Sequence, residues 1–162
     1  MTFNNTYVTT TAWMQNSLGL SRVASDVTNV TTTPANITGL SATLLAGRKY
    51  TGKLVIFASN DLAADGLLLD FDGGAGTMTS FQAGITGNAQ GATLGVNVST
   101  ALATDLTITA MSGTGVNVIE VTFAFVCNAA GTFIPRIAKN ADAAGATLTI
   151  AANSFMELQD AP

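Results

Sequence analysis

The feature that most constrains the fold is a succession of short strand patterns separated by Gly, Asn and Asp turns. Strand patterns rich in Val, Ile, Thr and aromatic residues occur at 20–24, 37–40, 49–58, 67–71, 77–86, 106–110, 116–127, 132–138, 147–151 and 154–159. Turn signals lie at 59–61, 72–74, 86–88, 112–115 and 128–131. Helix-like patches at 41–46 and 61–65 are too short for an independent helix. Many short strands without helical crossovers predict an all-β fold, an antiparallel jelly-roll-like β-sandwich.

The first seventeen residues differ from the remainder. They contain no charged side chain, but they carry three spaced aromatics, Phe3, Tyr7 and Trp13. Disordered tails are poor in aromatics, since large rings favour burial. We therefore predict an N-terminal arm over 1–17, followed by a jelly-roll domain over 18–162. The aromatics are the interface residues of this arm, which would pack against its own domain, a neighbouring subunit or a scaffold. The alternative is that 1–17 forms a simple first strand of the same domain.

Scarce charge favours an assembled protein. Charged residues make up 10% of the chain, against about 25% in an ordinary soluble domain. Charge normally keeps soluble monomers apart, so its scarcity favours association. The net charge of −4 argues against nucleic acid as a partner, because phosphate binding needs clustered cations. No run of eighteen apolar residues is present that would cross a membrane as a helix.

The chain lacks the residues on which many enzymes depend. It has no histidine and a single cysteine, Cys127, at the end of its most apolar run. Without histidine, Ser-His-Asp and Cys-His mechanisms are impossible within the chain, and the usual zinc sites are missing. We predict that Cys127 is a buried, inert thiol, that the protein is not an enzyme, and that it uses no cofactor.

The acidic pair Asp70 and Asp72 precedes a Gly-Gly turn. These carboxylates fit three readings: an acid and base pair, the opening of a calcium loop, or solvated acids beside a tight turn. No Glu follows at the position that would close an EF-hand-like loop, which favours solvated acids. A sugar-binding module stays open, although only Trp13, Tyr7 and Tyr50 could supply the Trp or Tyr platform.

Two strand patterns are apolar on both faces, and in a third the second face becomes apolar toward its end. They lie at 54–57, 67–69 and 116–127. An antiparallel sheet in a monomeric sandwich usually leaves one face wet, so we predict that one sheet packs against another copy of the chain. The residues predicted for this subunit packing are Val55, Phe57, Val121 and Phe123. The alternation leaves open which face is core and which meets the partner.

Several segments taken together carry a family resemblance. They are 37–50 (ITGLSATLLAGRKY), 121–126 (VTFAFV), 130–140 (AGTFIPRIAKN) and 152–158 (ANSFMEL). This succession resembles the small β-sandwich structural proteins of tailed bacteriophages, including capsid decoration (cement) proteins. The resemblance covers about residues 37–159 and rests on strand and turn residues. It implies a jelly roll, commonly trimeric, that sits over threefold positions of a shell and bridges coat subunits.

The resemblance leads to a functional expectation. We expect a non-enzymatic virion protein, a homotrimeric decoration protein whose partners are its own copies and the major capsid protein or another virion protein. It would be made in the bacterial host cytoplasm and reside on the capsid surface, with no nucleic acid or membrane as partner. The residues 1–17 would contact the shell or an adjacent subunit. The alternative is a phage tail or fibre-tip module, or a carbohydrate-binding β-sandwich.

Overall fold

The computed structural model describes residues 17–62, 65–89, 92–109, 111, 115–141 and 145–161. All regular structure in these ranges is β, and no helix occurs there. The strands are β1 Ser17–Arg22, β2 Val27–Asn29, β3 Ala35–Asn36, β4 Ala42–Leu44, β5 Arg48–Asn60, β6 Leu67–Asp72, β7 Thr77–Ala89, β8 Ala92–Ser99, β9 Leu106–Ile108, β10 Asn117–Ala129, β11 Gly131–Lys139, β12 Leu148–Ile150 and β13 Phe155–Ala161.

The strands form two sheets in which every pairing is antiparallel. The large sheet has the order β1-β13-β5-β10-β7-β8, with β12 joined to the far end of β5 and β2 joined to β12. The small sheet has the order β3-β11-β6-β9, with β4 paired to β11. The two sheets enclose one apolar core.

The strand order is that of a jelly roll with one insertion. Eight strands alternate between the two sheets in the jelly-roll pattern: β1, β3, β5, β6, β9, β10, β11 and β13. The large sheet contains the first, eighth, third and sixth of these, in the spatial order β1-β13-β5-β10. The small sheet takes the second, seventh, fourth and fifth. The predicted all-β antiparallel sandwich is therefore confirmed. The hairpin β7–β8 is inserted between the fourth and fifth strands and extends the large sheet beyond β10.

Aromatic rings tie the two sheets together. Phe71 and Phe133 of the small sheet stack with ring centroids 4.8 Å apart. Phe123 of the large sheet lies 5.4 Å from Phe71 and 5.0 Å from Phe133. Phe125 adds a further ring at 4.9 Å from Phe133. Tilted and offset pairs at these separations are favourable arrangements, so the ring cluster stabilises the sandwich beyond area burial alone.

The sequence missed four strands and misplaced some ends. β2, β3, β4 and β8 were not predicted. The helix-like patch at 41–46 contains β4, because pairing with β11 buries Leu44. The predicted strand at 37–40 is a turn in which the Leu40 N–H donates to the Ile37 carbonyl. The predicted turn at 86–88 lies inside β7, which continues to pair with both β8 and β10.

One residue of the predicted N-terminal arm lies in the described part of the chain. Ser17 was assigned to the arm, but it is the first residue of β1 and pairs with Gln159 of β13. Residues 1–16, with Phe3, Tyr7 and Trp13, lie outside the described residues. The choice between an arm and a first strand therefore stays a prediction.

Candidate interaction face on the large sheet

The outer face of the large sheet carries an apolar patch. In β5 the side chains of Leu54 and Ile56 point to the core, so the alternation turns Val55 and Phe57 outward. Val55 lies beside Phe155 of β13, and Phe57 lies beside Val118 of β10. We call Val55, Phe57, Val118 and Phe155 the apolar patch. Val55 is only 6% exposed although it faces away from the core, and the other three are half-buried.

Two of the four residues predicted for subunit packing are wrongly placed. Val121 and Phe123 belong to the core, with 0% and 4% exposure, and are covered by the opposite sheet of the same chain. The cause is the register of β10 on β5, which pairs Val121 with Leu54 and Phe123 with Gly52, both on the inward face. Only Val55 and Phe57 lie on the outer face, as subunit packing would require.

Beside the apolar patch lies a shallow groove of about 440 Å³. It is lined by Gln82, Ala83, Gly84, Val98, Ser99, Thr100, Thr122, Phe123 and Ala124. The register places Val98 of β8, Gly84 of β7 and Thr122 of β10 side by side across the sheet. The inserted hairpin therefore supplies most of the groove, which contains no charged side chain.

Two smaller recesses continue from the groove toward β13. One includes Ala124 and Thr51, and the next includes Thr51 and Gln159. The register places Gln82, Ala124, Thr51, Gln159 and then Ser17 in one row across five strands. This row of uncharged side chains leads from the groove to the first residue of β1, and Lys49, Lys53 and Glu157 line the recesses beside it.

Few charges interrupt this outer face. Lys53 Nζ lies 3.1 Å from Glu120 Oε2, and the side chains are 42% and 45% exposed. A pair this exposed contributes little to stability, about 0–1 kcal/mol. Glu157 lies beside Lys53 in the next strand. One ammonium therefore faces two carboxylates in this part of the outer face, while the groove lining carries no charged side chain.

The acidic pair predicted from the sequence is part of an ion-pair network on the outer face of the small sheet. Arg136 Nε donates to Asp70 Oδ1 at 2.8 Å, and Nη2 donates to Asp70 Oδ2 at 2.6 Å. Asp72 Oδ2 lies 3.7 Å from Arg136 Nη1, and Asp72 Oδ1 accepts the Gly74 N–H at 2.8 Å. The hydrogen bond to Asp70 raises the pKa of Arg136 above its usual value.

These contacts change the interpretation of the acids. Asp70 is buried and paired with a guanidinium, so the reading of two solvated acids is wrong for Asp70 and holds in part for half-buried Asp72. Across the described ranges, no three His, Cys, Asp or Glu side chains are grouped so that they could share a metal ion. The network therefore supports a structural role, in which Asp70 and Arg136 hold β6 and β11 in register.

Two other predicted side chains are buried. Cys127 is fully buried, its thiol donates to the Ala129 carbonyl at 3.1 Å, and burial raises its pKa. Tyr50 is also buried, and its hydroxyl accepts the Leu45 N–H at 2.9 Å. Because Tyr50 packs inside the sandwich, it cannot serve as an exposed sugar platform, which is a correction to its candidacy.

No family model matches the sequence, and no curated protein matches it. A solved structure, that of Eiger TNF from S. frugiperda, superposes with a TM-score of 0.45 at 10% identity, covering 91% of this chain and 94% of the other. That likeness is too weak to carry a functional conclusion. Among the described residues, the fold contains no helix with the length and apolar character to cross a membrane.

Proposed function

We propose that this protein is a non-enzymatic virion structural protein of the capsid decoration type, which forms a homotrimer and binds across neighbouring coat subunits. The observation that carries the proposal is the apolar patch. An antiparallel sheet in a free sandwich normally turns a polar face to water. Here that face presents the half-buried side chains of Phe57, Val118 and Phe155, which surround the nearly buried Val55 in adjacent strands. The resemblance of residues 37–159 to phage structural proteins supplies the setting.

The patch is suited to contact with a second copy. Its four side chains come from β5, β10 and β13, the central strands of the large sheet, so they sit on a rigid scaffold. Apolar area removed from water stabilises an association by about 25 cal/mol per Å². The nearest charges, Lys53 and Glu120, pair with each other, and Glu120 lies directly opposite Val55 at one corner of the patch.

The mechanism needs no chemical step. A protein that binds only the assembled shell stabilises that state by mass action. Three weak contacts made by one trimer act together, because the first contact raises the effective concentration of the others. Such binding depends on surface shape and apolar contact, which agrees with a chain poor in charge and free of histidine.

The oligomeric part of the proposal is tested by size-exclusion chromatography with light scattering. We expect the wild-type protein to be a trimer at micromolar concentration. Phe57→Asp places a charge in the patch and should give a folded monomer. Leu45→Asp makes the same kind of change at an exposed apolar residue outside the patch and should stay trimeric. A wild-type monomer, or equal behaviour of the two variants, would overturn the trimer built on this patch.

Attachment is tested with purified phage shells that lack the protein. Adding it should raise the temperature at which the shells open, and Phe57→Asp should attach more weakly because avidity is lost. Removal of residues 1–16 leaves β1 intact and should give a folded protein that no longer attaches. Binding of the isolated protein to host cells or glycans, without binding to shells, would instead favour the tail-tip or carbohydrate-binding alternative.

A further inference from the structure

The groove on the inserted hairpin differs from an ordinary sheet face. Its floor is low because Gly84 has no side chain and Ala124 and Thr122 are small, while Val98 at its margin is 74% exposed. A side chain added at Gly84 would have open space, since its Cβ would come no closer than 3.9 Å to Val98 Cγ1. The groove can therefore accept a flat apolar group from outside the described residues.

The chain enters the described fold in line with this groove. Ser17 begins β1 at one edge of the large sheet, in the row that continues through Gln159, Thr51 and Ala124 to Gln82. Neighbouring strands lie about 4.8 Å apart, so Ala124 is about 14 Å and Gln82 about 19 Å from Ser17. The recesses between them trace the path across the strands.

The residues before Ser17 have the length to follow that path. An extended chain spans about 3.4 Å per residue. Trp13 lies four residues before Ser17 and so reaches about 14 Å, and its long side chain extends the reach into the groove. Tyr7 lies ten residues before Ser17 and so reaches about 34 Å, beyond β8, which is five strand spacings or about 24 Å away.

The chemistry of the segment matches that of the groove. Residues 1–16 carry no charge, and the groove lining carries none either. Gln82, Thr122 and Thr100 can exchange hydrogen bonds with a crossing backbone, while Val98 and Ala124 offer apolar surface to an indole ring. Docking of a tethered segment also has a favourable effective concentration, because it is intramolecular.

From these observations we infer that residues 1–16 lie across the outer face of their own large sheet, with Trp13 seated in the groove between β7, β8 and β10. Trp13 then anchors the segment, and Tyr7 and Phe3 are carried past the β8 edge, where a neighbouring body can take them up. The inference concerns a single chain and does not depend on the proposed function.

The experiment uses Trp13 as its own probe, because it is the only tryptophan. In the full-length protein we expect blue-shifted fluorescence and protection from acrylamide. Val98→Asp should shift the emission to longer wavelength and raise the quenching constant several-fold, toward that of the urea-unfolded protein. Val30→Asp makes the same change at an exposed valine that does not line the groove and should leave both readings unchanged. Exposed Trp13 in the wild type would overturn the inference.

A second variant and a mixing experiment complete the test. Gly84→Leu fills the groove without adding charge and should also expose Trp13, while circular dichroism confirms that each variant is folded. Unchanged emission in folded Gly84→Leu and Val98→Asp proteins would refute the groove as the docking site. Co-refolding Trp13→Phe chains with Val98→Asp chains should leave the remaining Trp13 exposed. Recovery of protection in that mixture would mean that the segment docks on a neighbouring copy, against the inference.

Discussion

The Asp70–Arg136 ion pair allows a quantitative prediction. The two side chains lie directly opposite each other in β6 and β11, and Asp70 accepts both hydrogen bonds of the guanidinium fork. The Asp70 side chain is 4% exposed and that of Arg136 is 25% exposed. Arg136→Met keeps most of the aliphatic stem but leaves the carboxylate buried without its partner, so the stability loss should be much larger than the net worth of the pair.

The expected magnitudes follow from the burial of each partner. Breaking a buried pair by removing one partner costs about 3–5 kcal/mol, and partial exposure of Arg136 places Arg136→Met near 3 kcal/mol. Asp70→Leu should cost about 1 kcal/mol, because Arg136 stays closer to water and keeps Asp72 at 3.7 Å. The double variant should cost about 1 kcal/mol, since apolar replacements of buried pairs are often neutral. The coupling energy is then about 3 kcal/mol.

Urea unfolding followed by circular dichroism at neutral pH measures all three free energies. Lys53→Met is the matched control, because it breaks a pair whose side chains are both nearly half exposed, and it should cost at most about 0.5 kcal/mol. If Arg136→Met costs no more than Lys53→Met, the reasoning from burial is refuted. It is equally refuted if the double variant loses the full sum of the single losses.

Three further predictions concern stability. Gly131→Ala should lower the free energy of unfolding in urea by at least about 2 kcal/mol, because the added Cβ would collide with the backbone of the facing turn. Gly84→Ala is the control, because a Cβ at that position has room. Similar losses in the two variants would contradict this reasoning. Tyr50→Phe should cost about 1 kcal/mol by removing the acceptor of the Leu45 N–H, and an unchanged midpoint would count against that bond. Partial desolvation raises the pKa of Asp105, so the folded state binds the proton of this carboxyl more tightly than the unfolded state, and the free energy of unfolding falls as the pH rises through that pKa. The free energy of unfolding of Asp105→Asn should therefore increase relative to that of the wild type from acid to neutral pH. A difference between the two proteins that does not change with pH would argue against the shift.

The strand pattern made the fold class predictable, because alternation in the long strands is strong. In β10, the apolar positions from Ile119 to Cys127 share one face, and that face is the core. The apolar residue on the outer side of the run 67–69 is explained by its neighbours in adjacent strands, which alternation along one strand does not reveal. Leu67 and Leu69 point inward, while Leu68 is half-buried on the outside of the small sheet, between Thr107 and Ala138 in the neighbouring strands.

The interaction face was only half predictable. Alternation identifies which residues share a face, but the choice between core and outside depends on the neighbouring strand. Phe123 faces inward because Gly52 opposite leaves room for its ring, a relation between positions far apart in the sequence. The groove was invisible for the same reason, because Gly84, Val98 and Thr122 meet only through strand pairing, and the strand that carries Val98 was not predicted.

The place of β13 between β1 and β5 also sets an order of events during synthesis. β1 pairs with β13, so the first described strand has no sheet partner until residues 155–161 have left the ribosome. Pairings with such a large sequence separation close late in folding. Ser17 is therefore fixed at the edge of the sheet only after the rest of the sandwich has formed. If the proposed homotrimer forms through the outer face of this sheet, its assembly would have to wait for a finished domain.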